Sequence, residues 1–243
     1  FSNGQIIRSN VNSSIGRAFR FNAGYLDPDW WSARIWLGTS DNKFDINDLG
    51  FIRRNNITWG GARLAFRKQE PWGRFINNKI EFKYTQNWNR SGLILERQFE
   101  VEQNNLFSNY WRFGFFGNLF LPGFNDEDLF RNDNAWVYKT ELWGYGGPSI
   151  STDRRKKIII GAEFGSGYGK NRGMGYRANV WLQAKPIEQL NFEINVMEDK
   201  SPSYMRWVDI IENVYDTSRV YANSTLITRD INIRLDWTFS PKL

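Results

Sequence analysis

The sequence predicts an all-β fold: an antiparallel, up-and-down transmembrane β-barrel, or a large fragment of one, with roughly 12–14 strands in this chain. Three observations predict it. Apolar and polar residues alternate with a period of two along segment after segment, most clearly between Gly173 and Val196. Aromatic residues make up 17% of the chain, with 12 Trp, yet the mean hydropathy is only -0.58. That combination fits strands with one side in lipid and the other on a polar lumen, with aromatics gathered at both interfaces. Finally, no run of about eighteen apolar residues occurs, which excludes a transmembrane helix and is neutral toward transmembrane strands.

Taken in order, a weak strand at Gln5–Ser9 precedes Ser14–Leu26, where Ile15, Phe19, Phe21, Ala23 and Tyr25 share a face interrupted by Arg17. Trp30–Thr39 sets Trp31, Ala33, Ile35 and Leu37 against Ser32, Arg34 and Trp36. Asn56–Arg67 slips in phase around Gly60-Gly61, where a bulge is expected. In Phe75–Trp88, Ile80, Phe82, Tyr84 and Trp88 face away from Lys79, Glu81, Lys83 and Thr85, and Leu93–Val101 continues the pattern. Tyr110–Leu121 groups Trp111, Phe113, Phe115, Leu119 and Leu121, and Trp136–Gly146 follows less cleanly. Ile158–Tyr168 sets Ile158, Ile160, Ala162, Phe164 and Tyr168 against Gly161, Glu163, Gly165 and Gly167.

The clearest pair comes next. Met174, Tyr176, Ala178, Val180, Leu182 and Ala184 oppose Gly175, Arg177, Asn179, Trp181 and Gln183; beyond a turn at Lys185–Gln189, Leu190, Phe192, Ile194 and Val196 oppose Asn191, Glu193 and Asn195. A shorter pair near Tyr204–Ile211 and Arg219–Asn223 follows, and Leu226–Phe239 closes the series with Ile231, Ile233, Leu235, Trp237 and Phe239 on one face.

Connection lengths separate the two ends, because outer-membrane barrels alternate short periplasmic turns with longer outer loops. One class holds Asp27-Pro28-Asp29, Lys68–Gly73, Gln103–Phe107, Pro148–Arg155, Pro186–Gln189 and Ser240–Leu243. The other holds Ser40–Asn55, Asn89–Gly92, Pro122–Asn134, Gly169–Gly173 and Lys200–Ser203. Both long connections fall in the second class, which is expected outside the cell. The whole of 1–243 reads as a single β-barrel domain belonging to a longer chain.

The chain has no cysteine and no histidine, so thiolate metal sites, disulfides and imidazole-based catalysis cannot reside in it alone. No cofactor and no enzymatic activity are expected. The formal charge of +6 is spread over many strands and reads as lumen and loop charge, not a nucleic-acid surface. Asp41, Asp45, Asn47 and Asp48 in one loop, and Asn125, Asp126, Glu127, Asp128 and Asp133 in another, offer hard oxygen ligands for Ca²⁺ without the EF-hand spacing, and read as solvated acidic loops. Glu96 and Glu100 read as ordinary lumen polarity, Arg154–Lys157 as a basic turn at the membrane surface, and Gly165–Lys170 lacks the helix of a phosphate loop. The candidate lumen-facing residues are Arg34, Arg112, Arg177 and Arg234, with Glu81, Glu163, Glu193 and Asp236. Pairing between these cations and anions across strands is expected to fill the lumen.

Three stretches carry a family resemblance: Phe44–Asn56 (FDINDLGFIRRNN), Ser151–Lys157 (STDRRKK) and Arg234–Leu243 (RLDWTFSPKL). From about Ser40 onward the chain resembles the C-terminal barrel of a Bacteroidota outer-membrane family catalogued as a domain of unknown function. Members of that family often carry an N-terminal carbohydrate-binding, family-9-like domain. The resemblance implies a place in the outer membrane and a tie to glycan handling, and it transfers no catalytic residues. The expected function is that of a pore, transporter or scaffold. Its partners would be the lipid bilayer, other envelope proteins, and a small solute or glycan. A barrel enzyme and a soluble β-sandwich binding module are the alternatives.

Overall fold

The computed structural model describes residues 16–27, 29–44, 56–126, 137–201, 204–212 and 217–239, which contain strands and connections and no helix. The strands are β1 Ala18–Leu26, β2 Trp31–Ser40, β3 Ile57–Lys68, β4 Phe75–Asn89, β5 Ile94–Phe107, β6 Arg112–Leu121, β7 Gly123–Asn125, β8 Tyr138–Thr140, β9 Trp143–Ser151, β10 Ile158–Gly169, β11 Gly173–Ile187, β12 Leu190–Lys200, β13 Tyr204–Glu212, β14 Thr217–Ser224 and β15 Ile227–Trp237. Eleven of them form one sheet in the order β1-β2-β3-β4-β5-β6-β9-β10-β11-β12-β15. Every pairing in it is antiparallel. Directions therefore alternate, and β1 and β15, first and last of an odd series, run the same way. The all-β, antiparallel class matches the sequence expectation, while the sheet is open in this structure, with β1 and β15 as its edges.

Register explains why these residues form strands. Ala162, Val180, Val196 and Ile231 lie directly opposite one another on β10, β11, β12 and β15, and Ile160, Leu182, Ile194 and Ile233 form the next such row. One residue along, Gly161, Trp181, Asn195 and Asn232 make a row on the other face. Burial is inverted relative to a water-soluble sheet. Val180 is 52% exposed and Ile233 65%, whereas Gln183, Asn191, Glu193 and Asn195 are half-buried. Among the described residues the buried apolar side chains are Ala65 and Ile159, and no large side chain is fully buried. Among the described residues no second layer covers the apolar face.

Two-sided organisation continues along the strand axis. At one end of the sheet neighbouring strands are joined through 27–30, 69–74, 108–111, 152–157 and 188–189; at the other their ends are joined through 41–56, 90–93, 122–142, 170–172 and 201–226. The short/long parity expected from the sequence is reproduced. The long end also carries the two small hairpins, β7–β8 and β13–β14, and the rings of Tyr138 and Tyr221 join them at 5.9 Å. The short end gathers aromatic rings: Tyr25–Trp31, Trp30–Phe66, Trp72–Phe75 and Phe75–Phe107 have centroids 4.8, 6.3, 5.3 and 4.9 Å apart.

Several boundaries differ from expectation. Gln103–Phe107 is the end of β5, and the turn sits at 108–111, where Asn109 Oδ1 accepts the Trp111 N–H at 3.0 Å and Tyr110 adopts φ 64°. Gly60-Gly61 forms no bulge, since β3 runs in unbroken register with β2 and β4; the phase looks broken because Ile57 and Trp59 stand on the polar face with Arg63, where the Trp59 ring lies over Gly38. Tyr204–Glu212 and Thr217–Ser224 pair with each other and not with the large sheet. Pro148 lies inside β9, not in a loop. Its missing N–H coincides with a gap in the β9–β10 ladder between the Ser149–Glu163 and Gly146–Ser166 pairs. The strand persists because its other edge stays paired with β6 through Phe115 and Phe116. Close beside this gap, a Cβ added to Gly147 would overlap the Phe164 carbonyl oxygen. The expected strand at Gln5–Ser9, the turn at Ser240–Leu243 and Asp45, Asn47, Asp48, Glu127, Asp128 and Asp133 lie outside the described residues.

Candidate functional site

The polar face is continuous across the sheet. Arg34 lies opposite Arg63, Arg63 opposite Lys83, Lys83 opposite Glu100, Glu100 opposite Asn118, Asn118 opposite Tyr145, and Tyr145 opposite Gly167. Gly167 in turn faces Gly175, and Asp199 on β12 faces Arg177. Since alternate residues of a strand share a face, Arg34, Glu81, Arg112, Glu163, Arg177, Glu193, Arg234 and Asp236 all stand on this one.

Their pairings differ from those expected. Arg177 Nε donates to Asp199 Oδ2 at 2.8 Å, not to Glu163, because Asp199 is its directly opposite residue. Arg63 Nη2 and Lys79 Nζ reach Glu81 Oε2 at 2.6 and 2.8 Å, and Lys83 Nζ reaches Glu100 Oε1 at 2.7 Å. Arg34 Nη2 donates to Asn22 Oδ1 at 2.8 Å. Glu193 Oε1 accepts from Gln183 and Asn191 at 3.0 and 2.9 Å. Arg234 and Asp236 do pair, at 2.9 Å, but along β15 and not across strands. Arg34, Arg63 and Lys83 stand directly opposite one another, an opposition that is destabilising by itself, and Glu81 and Glu100 beside the row offset it.

Aromatic rings fill the glycine positions of this face. A Cβ at Gly61 would strike the ring of Trp36, one at Gly38 the ring of Trp59, and one at Gly161 the ring of Trp181, each from the directly opposite residue of a neighbouring strand. The largest such group covers β10. Tyr145 and Phe116 lie over Gly165, and Trp143 lies over Gly167 and Gly169. Together with Phe120 these rings form a chain, with centroids 5.2 Å apart for Phe120–Trp143, 5.8 Å for Trp143–Tyr145 and 5.4 Å for Tyr145–Phe116. All four are half-buried. Sequence reasoning placed the glycines of β10 on the polar face. It missed the rings over them, whose signal, Trp and Tyr at alternate positions of β9, emerges only with the register.

A family profile described as Domain of unknown function (DUF5916) matches residues 2–243. The chain belongs to that family. No curated protein and no solved structure matches it.

The remaining candidates of the DUF5916 chain take ordinary places. Asp41 accepts the backbone N–H groups of Arg17 and Lys43 at 2.9 and 3.0 Å. Glu96 accepts from Asn87 at 3.1 Å, while Glu100 holds Lys83. Gly165–Gly169 belongs to β10, a strand with no helix behind it. Asp126 is buried beside Asn89 Nδ2, 3.4 Å away. Among the described residues no group of three His, Cys, Asp or Glu is arranged to hold a metal ion.

The basic stretch Arg154–Lys157 is the β9–β10 turn, and one of its cations is committed. Arg155 Nε and Nη2 donate to Asp153 Oδ1 and Oδ2 at 2.9 and 2.8 Å, its backbone N–H donates to Oδ1 at 2.9 Å, and its guanidinium stacks 3.0 Å from the Tyr110 ring centre in the neighbouring β5–β6 turn. The Arg155 side chain, and secondarily its backbone N–H, lower the Asp153 pKa from 3.8 to about 2. A depressed folded-state pKa means stability that is complete above the ordinary carboxylate value and lost as pH falls through the folded one. The Arg155 amide should therefore keep its protection from hydrogen exchange down to about pH 4 and lose it toward pH 2, and Asp153→Asn should lack that step. An unchanged profile in Asp153→Asn would assign the protection elsewhere.

Proposed function

We propose that this chain forms most of the wall of an outer-membrane β-barrel in a Bacteroidota-like envelope, with the charged face inward, acting as a pore, transporter or scaffold. The observation that carries the reading is the inverted burial: apolar rows such as Ala162–Val180–Val196–Ile231 are uncovered while the charged face forms its own networks. Water would make that arrangement costly, and hydrocarbon makes it favourable. Strands of 9 to 15 residues in the large sheet meet the length that a tilted membrane strand requires. The aromatic cluster at the short end and the long connections at the other match the interfacial girdle and outer loops of such barrels.

On the apolar face, charge is confined to the ends. Arg229 and Glu198, paired at 2.7 Å, stand near the long connections, where the headgroups would lie. Because β1 and β15 run the same way, an all-antiparallel wall closes only with an odd number of further strands, giving the even total of bacterial barrels. The glycan tie rests on the family resemblance alone.

The test is conductance of the purified full-length protein in planar bilayers. An open barrel gives single-channel steps, and replacing Arg34, Arg112, Arg177 and Arg234 together with Gln moves the reversal potential toward cation preference, since the carboxylates they leave behind then dominate the lumen. Absence of conductance before and after the change rules out transport and leaves the scaffold.

A further inference from the structure

We infer that the apolar face carries a lipid site across β3 to β9, where one acyl chain lies in a groove and its anionic phosphate head meets Arg97. The inference rests on the reading of this face as the one turned to the bilayer. The groove, about 670 Å³ in volume, has the size of sites that hold a small ligand. Glycine creates it. Gly117 of β6 stands directly opposite Gly146 of β9, so the outward row that runs through Leu64, Phe82 and Val101 loses its side chains there. Tyr84, Phe99 and Leu119 of the next outward row wall the groove toward the long-connection end, and Phe115 walls it toward the short one. The row between, Lys83, Glu100, Asn118 and Tyr145, points to the other face and lends the floor its backbone. Such a surface suits hydrocarbon.

A cation at the outer end separates this groove from any other recess on an apolar wall. Arg97 faces outward, two residues from Phe99 on β5 and directly opposite Gln86. It is half-buried, its Nη2 donates to the Pro122 carbonyl oxygen, and its Nε is buried without a partner. Among the described residues no carboxylate pairs with it. The Tyr84 hydroxyl donates to Gln86 Oε1 at 2.5 Å, which leaves the Gln86 amide N–H groups as donors beside Arg97. A guanidinium and an amide with no acid between them form a surface for an anion, and the planar guanidinium matches phosphate oxygens. An apolar protein partner would bury Arg97 unpaired, at a cost that a phosphate removes. A head with a pendant ammonium gains less, because no carboxylate occupies an outward position on β3, β4, β5 or β6.

Native mass spectrometry of the full-length protein in non-ionic detergent tests this, with phosphatidylglycerol, phosphatidylcholine and diacylglycerol of equal chain length as probes. One phosphatidylglycerol should stay bound, with diacylglycerol held about tenfold more weakly for want of the charge-assisted contact, and phosphatidylcholine in between. Arg97→Gln should weaken phosphatidylglycerol about tenfold, to the level of diacylglycerol. Gly117→Leu, whose first added carbon meets only the Val101 and Phe115 side chains, at 3.1 and 3.7 Å, should fill the groove and weaken all three. Lys68→Gln, which removes an outward cation at the short-connection end, should leave binding unchanged. A diazirine placed mid-chain on phosphatidylglycerol should label Phe82, Phe99 or Leu119 in the unaltered protein, a readout that needs no variant to fold. Equal retention of diacylglycerol and phosphatidylglycerol, equal losses in Lys68→Gln and Arg97→Gln, or labelling confined to rows such as Val180–Val196 would each overturn the inference. A protein that inserts into bilayers yet shows no headgroup preference loses the site and keeps the membrane wall. One that stays dissolved without detergent loses both.

Discussion

Val180→Arg should destabilise the folded protein in lipid by about 2–4 kcal/mol, the cost of a cation near the middle of a lipid-facing strand. Val180 stands between Ala162 and Val196 at the centre of an uncovered apolar row, so a guanidinium there has no anion within reach and no route to either interface except by stretching along the strand. Its neighbour gives the control. Asn179 points to the other face, opposite Glu163, and its Oδ1 has no hydrogen-bond partner to forfeit. Asn179→Arg brings a cation to Glu163 and should change stability by less than about 1 kcal/mol. Denaturant titration of both variants in vesicles measures the difference. Equal costs, or a larger cost at Asn179, would turn the sheet inside out.

The second large effect lies at the gap beside Pro148. Gly147→Ala places a methyl group on the Phe164 carbonyl oxygen, with the Gly165 Cα also within 2.8 Å. Both obstacles are backbone, so no rotamer change relieves the overlap and β9 must move away from β10. A cost of about 1–3 kcal/mol follows, the usual range for forcing atoms into a packed site. Gly144→Ala, three residues earlier on the same strand, meets the Asn118 oxygen and Leu119 Cδ1 only at ordinary contact, 3.6 Å each, and should be close to neutral. If the two variants unfold at the same denaturant concentration, the close approach at Gly147 is not a feature of the folded protein in lipid.

What was legible in the sequence was whatever depends on a single strand. The alternation of Val180 with Asn179, and of Ile233 with Arg234, assigns faces without knowledge of neighbours, because side chains of a strand alternate regardless of its partners. The parity of short and long connections was legible for the same reason. What depends on pairing was not. Arg177 could have met Glu163 or Asp199 until register placed Asp199 opposite it. Pro148 looked like a terminator because proline denies one ladder, and the intact ladder to β6 lies beyond sequence-local reasoning. The short pair near Tyr204–Ile211 and Arg219–Asn223 was legible as strand, close to the observed Tyr204–Glu212 and Thr217–Ser224, yet a strand pattern cannot say which sheet a strand joins.

The order of the large sheet also bears on how it assembles. Apart from the two excursions through β7–β8 and β13–β14, each strand pairs with the next one along the chain. Growth by successive neighbours closes loops that are short beside the length of the chain, the longest running through 122–142 and 201–226, which costs little chain entropy and favours rapid zippering. The outermost strands are different: Ala18–Leu26 and Ile227–Trp237 are separated by nearly the whole polypeptide, and each offers a row of unpaired backbone groups until the circle is completed. In the proposed barrel the circle closes only through the further strands that the parallel run of β1 and β15 requires, and that closure is the step of high contact order, and so the slow one. Until it closes, both rims are templates for pairing with another molecule, and a chaperone for this protein would have to shield those two strands.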